Sequence, residues 1–419
     1  MERMEEEVVG SDYQQYQQFI SDSPWSAREV MNHVAVEVGH QLRGTGATGL
    51  LIDETYFQKK GIHSVGVSRQ WNGRLGKVEN SQVAVFAALS AGDRACPIDT
   101  ELYLPTEWTD DPERCEDKKV PQERLTHKTK IDLALDIVAR QRELGVKFDF
   151  VCADGLYGNS GPFCRSLDDE GEVFMLHVHA DQRVYLEDPK PYLPARKSSR
   201  GRAPSKLKTS ASPMLVRDLV KGLDEKEFTR LDQVRITTSG DLEIDAYRRE
   251  VWVWDNEEPT ARKWTLFVRR DVGETGDSGE VKYCLSNAPE CTTILQMARW
   301  ESQRFWIERA FEDAKQEASM ADYQIRGWVA WHHHMALVMM AMLFMLRVRM
   351  IHKEDVPLLS CHDIRVLLAH FLESRKASTA EIMRQMELRH KKRQAATEAR
   401  RRKQQLRREV QARSSVMLK

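Results

Sequence analysis

Three acidic residues hold the chemistry this sequence can do. Asp53 ends the apolar run GLLID, Asp154 ends FDFVCAD, and Glu308 lies in RFWIERAFEDAK, Arg304 to Lys315. Carboxylates are ligands for hard divalent cations such as Mg²⁺, which take oxygen donors and keep several waters. Two such ions can clamp the attacking and leaving oxygens of an in-line phosphoryl displacement. Taken singly, each aspartate also reads as an ordinary strand-end turn residue or helix cap. Together with Glu308, in this order along the chain, that bland reading weakens.

The elements that position them follow from periodicity. At about 100° per residue from Arg304, Lys315 falls at roughly 20° and Glu308 at roughly 40°. Ile307, Ala310, Phe311 and Ala314 fill the adjoining arc. Glu308 is thus expected at the rim of a buried face between two cations, Glu312 farther out and Asp313 nearly opposite. The alternative is a solvated helix with an Arg304–Glu308 ion pair. GLLID and FDFVCAD read as buried strands, so both aspartates stand at carboxyl ends of strands, where open α/β sheets place their sites. HSVGVSRQW, NSQVAVFAALS and ACPIDTELYLP add strands. KIDLALDIVARQRELG reads as an amphipathic helix with a terminal glycine cap. Ser26-Ala-Arg-Glu29 is a capping-box pattern.

The chain has 419 residues, 41% hydrophobic and 30% charged, with net charge −1, as expected of an ordinary globular protein. The charge is uneven. Residues 196–208 carry six basic side chains and no acid, and residues 389–408 carry ten against Glu398 alone. Such blocks attract polyanions, or serve as solubilising segments. Seven scattered cysteines without a CxxC pair or a secretory leader predict reduced thiols and a cytoplasmic location. The run from Met335 to Leu346 falls short of the roughly 20 residues that span a bilayer, so a core helix is expected and no membrane. The histidine clusters 332–334 and His177-x-His179-x-Asp181 do not suit one ion: adjacent histidines on a helix diverge. Trp252, Trp254 and Trp264 read as core of a small sheet, or as surfaces for an extruded base.

These motifs together resemble the DDE transposases of bacterial insertion sequences. Around Glu308 the pattern is similar to Y-x2-R-x3-E-x6-K, with Arg304 and Lys315 in place and Glu301 where the tyrosine would stand. LIDETYFQKKG resembles D-[DE]-T-x-x-x-K-x-G, with Lys60-Gly61 close behind Asp53. VCADGLYG resembles D-x-x-Y-G, with Tyr157 and Gly158 after Asp154. The resemblance implies an α/β, ribonuclease-H-like mixed sheet flanked by helices, with an inserted β-rich subdomain and a helical C-terminal region. The expected divisions are 1–46, an N-terminal helical segment; 47–181, the first catalytic part; 182–289, the insert; 290–375, the helical second part; and 376–419, a charged tail. It further implies that Asp53, Asp154 and Glu308 are the catalytic and metal-binding acids for two Mg²⁺ ions, replaceable by Mn²⁺. Arg304, Lys315, Lys60 and Tyr157 would contact DNA, as would the basic loop residues Arg196, Lys197, Arg200 and Arg202. The implied activity is strand cleavage at element ends and transfer to target DNA, by hydrolysis and transesterification. The partner is double-stranded DNA, held by a homodimer in the DNA complex. Glu301 would then turn a negative charge toward phosphate. The alternative is a catalytically inactive or domesticated DNA-binding regulator of element ends.

Overall fold

The computed structural model describes residues 12–73, 75–195, 204–237, 240–272, 278–371 and 378–417. Residues Ile20–Arg365 form one compact unit. A second is drawn from the N-terminal residues through Phe19 and from Val366 onward.

In chain order the helices α1 (Tyr13–Ser21) and α2 (Ala27–Gln41) precede the strands β1 (Thr48–Gln58), β2 (Ser68–Asn72), β3 (Lys77–Ala91) and β4 (Arg94–Leu102). Then come α3 (Lys130–Glu143), β5 (Phe150–Ala153), the single turn α4 (Gly155–Gly158), α5 (Gly161–Asp169) and β6 (Phe174–Val178). The expected insert contributes α6 (Val216–Lys221), β7 (Thr229–Leu231), β8 (Ile244–Val253), β9 (Arg262–Val272) and β10 (Ser278–Ser286). The helices α7 (Ile294–Gln303), α8 (Phe305–Glu317), α9 (Trp328–Ile351), α10 (Cys361–Phe371) and α11 (Thr379–Met417) follow.

Among the described residues these ten strands join one mixed sheet, in the order β2-β3-β1-β5-β6-β10-β9-β8-β7, with β4 also on β3, and two short pairs, Arg183–Val184 with Met214–Leu215 and Ile236–Thr237 with Gly240–Asp241, lie outside it. β1, β3 and β4 are antiparallel neighbours, while β5 and β6 run parallel to β1. Helices cover the centre, so Leu50, Leu51, Ile52 and the whole of β5 are buried, as strands covered on both faces must be. This is the mixed, helix-flanked sheet that the motifs imply.

The insert is β-rich but is not a sheet of its own. β10 pairs with β6, from Tyr283 opposite Val178 to Ser286 opposite Met175, so the insert's strands prolong the main sheet. The physical reason is edge satisfaction: without β10, β6 would expose a row of unpaired backbone groups beside a buried face. Trp254 and Trp264 are buried, their indole N–H groups donating to the Glu258 carbonyl (2.7 Å) and to Asp168 (3.3 Å). For these two, the core reading holds.

α2 starts at the expected cap, with Ser26 accepting the Glu29 N–H at 3.1 Å. It packs on α9 and β4, where Arg28 and Arg140 converge on buried Asp99 at 2.5 and 2.8 Å. α9 is long and apolar enough by length and composition to cross a membrane. Its Trp331, Met335, Ala336 and Met339 are nevertheless buried core. The three consecutive histidines on it face three different ways. His332 bonds the Trp328 carbonyl, His333 those of Ile20 and Trp25, and His334 that of Met320.

Candidate active site

The parallel ladder between β1 and β5 ends at the pair Ile52 and Ala153. Asp53 and Asp154 are the next residues on these neighbouring strands, so their side chains emerge side by side where the ladder stops. Asp53 does not end its strand, however. β1 continues to Gln58 because DETYFQ pairs with β3 alone, which leaves its other edge open beside Asp154. Asp154 caps α4 by accepting the Leu156 N–H at 2.9 Å. A Cβ at Gly158 would run into the His177 carbonyl, so the tight return of α4 onto β6 requires glycine there.

Electrostatics set these two acids apart. Burial, with Asp154 and Glu54 nearby, outweighs the attraction of Arg304 and pushes Asp53 up to about 7. Burial also raises Asp154, helped by Glu54 and opposed by Arg304. Two partly desolvated carboxylates that resist ionising together are a donor set that lacks positive charge.

The helical segment opposite supplies some. α7 passes into α8 at Arg304, whose guanidinium lies 3.8 Å from the Asp53 carboxylate and 2.5 Å from that of Glu308. Burial works against the Arg304 charge, but Asp53 and Glu308 raise its pKa all the same. Ile307, Ala310, Phe311 and Ala314 are buried, and Glu308 stands at the rim with its side chain 56% exposed. Lys315 donates to the Thr55 hydroxyl at 2.6 Å, two residues along β1 from Asp53. The motif's acids and cations thus share one region. Among the described residues no three His, Cys, Asp or Glu side chains are already grouped to hold a metal ion. Arg304 stands between Asp53 and Glu308 instead.

Three expectations change. Asp313, expected on the outer face of α8, is buried, with the Cys361 thiol against it and Arg309 at 2.9 Å. Glu301 does not face phosphate. It is 2% exposed, 2.8 Å from Arg269 and 3.2 Å from His177. Burial would raise its pKa, but those two partners bring it down to about 2. Tyr157 is fully buried and cannot reach DNA; its hydroxyl donates to Glu54 at 3.1 Å. Lys60 is exposed, whereas Lys59 is half-buried, 3.4 Å over the Tyr323 ring, and lowered to about 8 by burial. The loop residues Arg196, Lys197, Arg200 and Arg202 lie outside the described residues.

Glu54 is the residue that reasoning from sequence passed over. It accepts from Tyr56 (2.8 Å) and Tyr157, and pairs with Lys130 at 2.9 Å. The sign of it was the acid adjoining Asp53 within a strand, where alternation sends it to the opposite face.

Two comparisons bear on this geometry. The family described as DDE superfamily endonuclease matches residues 1–240, which include Asp53 and Asp154 and stop short of Glu308. A protein described as a probable transposase for insertion sequence element IS701, from Microchaete diplosiphon, is 32% identical over 181 residues. That stretch covers 43% of this chain and 44% of the relative.

Proposed function

The chain belongs to the DDE superfamily of endonucleases, and from that premise we propose that it is a DNA transposase. It would cleave strands at element ends and join the freed 3′-hydroxyl to target DNA. The observation that carries this is the emergence of Asp53 and Asp154 side by side at the end of the β1–β5 ladder, facing Arg304 and Glu308. The donor set fits hard divalent ions: two carboxylates with raised pKa, and a third acid joined to Asp53 through Arg304. Asp53, Asp154 and Glu308 would hold the two Mg²⁺ ions, for which Mn²⁺ would substitute. When bound, the ions supply positive charge to the attacking and leaving oxygens.

This chain's own residues would do the rest. Asp53, raised to about 7 by burial, would hold an ion in its ionised form, its proton passing to solvent. Arg304 exchanges its carboxylate partners for a phosphate beside the scissile bond, which its planar fork suits. Lys315, fixed on Thr55, marks a neighbouring phosphate. Water would attack the phosphorus and lose a proton to solvent while the 3′-oxygen leaves and takes one up; the freed 3′-hydroxyl would then attack a target-strand phosphorus, losing its proton and displacing that strand's own 3′-oxygen, which is protonated in turn. The enzyme would act in the cytoplasm, as a homodimer on double-stranded DNA.

The second reading, a DNA-binding regulator without catalysis, draws on Arg304 bridging Asp53 and Glu308. An arginine fixed there would neutralise the triad by itself. Its other support, a negative charge of Glu301 against phosphate, falls with the burial of that residue. The test is incubation with labelled element-end DNA and Mg²⁺, beside an Asp154→Ala control. Cleavage by the parent and none by the control supports the enzyme; binding without cleavage in either supports the regulator.

A further inference from the structure

Residues 59–78 hold five lysines and arginines (Lys59, Lys60, Arg69, Arg74, Lys77) and no acid. They lead from the end of β1 into the ribbon made by β2 and the first residues of β3. The root of this ribbon is clamped. The Asn80 carboxamide donates to the carbonyls of Lys59 and Gly61 at 2.7 and 3.0 Å. The side chains of Gln82 and Trp108 hold the Val65 and Val67 carbonyls at 2.6 and 2.8 Å. Gly66 at φ +71° makes the turn, with the Tyr103 carbonyl 2.9 Å from where a Cβ would lie.

The tip is different. Trp71 is 59% exposed opposite Val78, itself 48% exposed, and Leu75 and Ile62 are exposed as well. Arg69 is also exposed, and Lys77, on the other face of the ribbon, pairs with Glu79 at 3.1 Å. Charges alone would be the usual guard of an edge strand. An indole left in water at the end of a rigid, basic arm is not; such a patch marks an interaction surface.

The strand register locates the arm. Asp53 lies opposite Phe86 on β3, and Trp71 opposite Val78. Eight residues of one strand separate them (86 − 78), about 27 Å at 3.4 Å each. An even number of residues places Trp71 on the face of the sheet that carries Asp53. A turn of duplex is about 34 Å, so DNA seated at the acids reaches the indole within one turn.

We propose that the β2–β3 ribbon is a docking arm for the duplex flanking the reacting strand. Trp71 stacks on bases or sugars, and Arg69, two residues away on the same face, meets a phosphate. This rests on the transposase reading, and its test separates the two. Binding of the full chain to a random-sequence duplex is followed by fluorescence anisotropy against salt. Trp71→Ala is expected to weaken binding about tenfold, the scale of one lost stack, and Trp71→Phe to restore most of it. Arg69→Gln is expected to reduce the log–log salt slope by about 0.9. Parental affinity and slope in both variants, while the parent binds and cleaves, overturn the arm and leave the transposase standing. A Trp71→Ala variant that changes only self-association also overturns it, making the ribbon a contact between copies. A parent that binds no duplex overturns both readings.

Discussion

Glu308 and Glu312 are one turn of α8 apart and both exposed, yet only Glu308 reaches Arg304 and, through it, Asp53. Glu308→Gln keeps size and hydrogen bonding but removes the charge a hard cation needs. It is expected to abolish cleavage of element-end DNA while leaving binding intact or slightly tighter, as gel-shift and cleavage assays on the same duplex would show. Glu312→Gln should change neither. Equal cleavage by Glu308→Gln and the parent would remove Glu308 from the site. Tyr157 and Glu54 give the complementary case. Their hydrogen bond lies behind Asp53, on the buried side of β1, so Tyr157→Phe should lower turnover about tenfold by loosening Glu54. DNA affinity should stay put, because a fully buried hydroxyl meets no phosphate. A matching drop in affinity would mean that α4 itself contacts DNA. The placement of Asp53 and Asp154 side by side was legible in sequence because each ends an apolar run, and that of Glu308 at the helix rim because it borders an apolar arc. The burial of Tyr157 and the role of Glu54 were not, since both depend on α4 folding back onto β6, which brings the Tyr157 hydroxyl to Glu54.

At the scale of elements, α7 is tied to the sheet through Glu301. His177 on β6 and Arg269 on β9 both reach it, so strands from the catalytic core and from the insert grip the helix that delivers Arg304. Glu301→Gln leaves buried positive charge without its counterion and is expected to cost about 3 kcal/mol at neutral pH. Urea denaturation would measure it. The folded pKa of Glu301 lies near 2, below the ordinary 4.5. Its stabilisation is therefore complete above pH 4.5 and fades as pH falls toward 2, because protonating it releases both partners. Glu301→Gln should flatten the parent's loss of stability in that window. A variant as acid-sensitive as the parent would place that sensitivity elsewhere, with Asp99 the first alternative, since Arg28 and Arg140 hold its pKa down against burial. Alternation and apolar runs made the strands readable one by one. The join between β6 and β10 was not readable, because periodicity says which face of a strand is buried and nothing about its neighbour. For the same reason Glu301 looked like a misplaced surface charge: its partners lie 124 and 32 residues away in sequence (301 − 177 and 301 − 269).

Over the whole molecule, a net charge of −1 conceals strong segregation. Acids collect in buried pairs such as Asp99 with Arg28 and Glu301 with Arg269, whereas unbalanced basic charge gathers in segments. α11 is the clearest: its 39 residues make a helix about 58 Å long and include the ten basic side chains between 389 and 408. Neutral totals therefore do not weaken the case for a polyanion partner; each basic segment acts over its own Debye length, about 8 Å at physiological salt. If these segments meet phosphates, the logarithm of DNA affinity falls with the logarithm of salt by about 0.9 per contact. Replacing Arg196, Lys197, Arg200 and Arg202 together by glutamine should flatten that slope by up to about 3.6, in proportion to how many of the four touch DNA. Asp53, Asp154, Glu308 and the fold of the sheet are untouched by this change. Cleavage at low salt and saturating DNA should therefore persist, and the loss should appear only as salt rises. A parental slope in the fourfold variant would return the loop at 196–208 to a solubilising role and leave phosphate binding to α11 and the residues around Arg304.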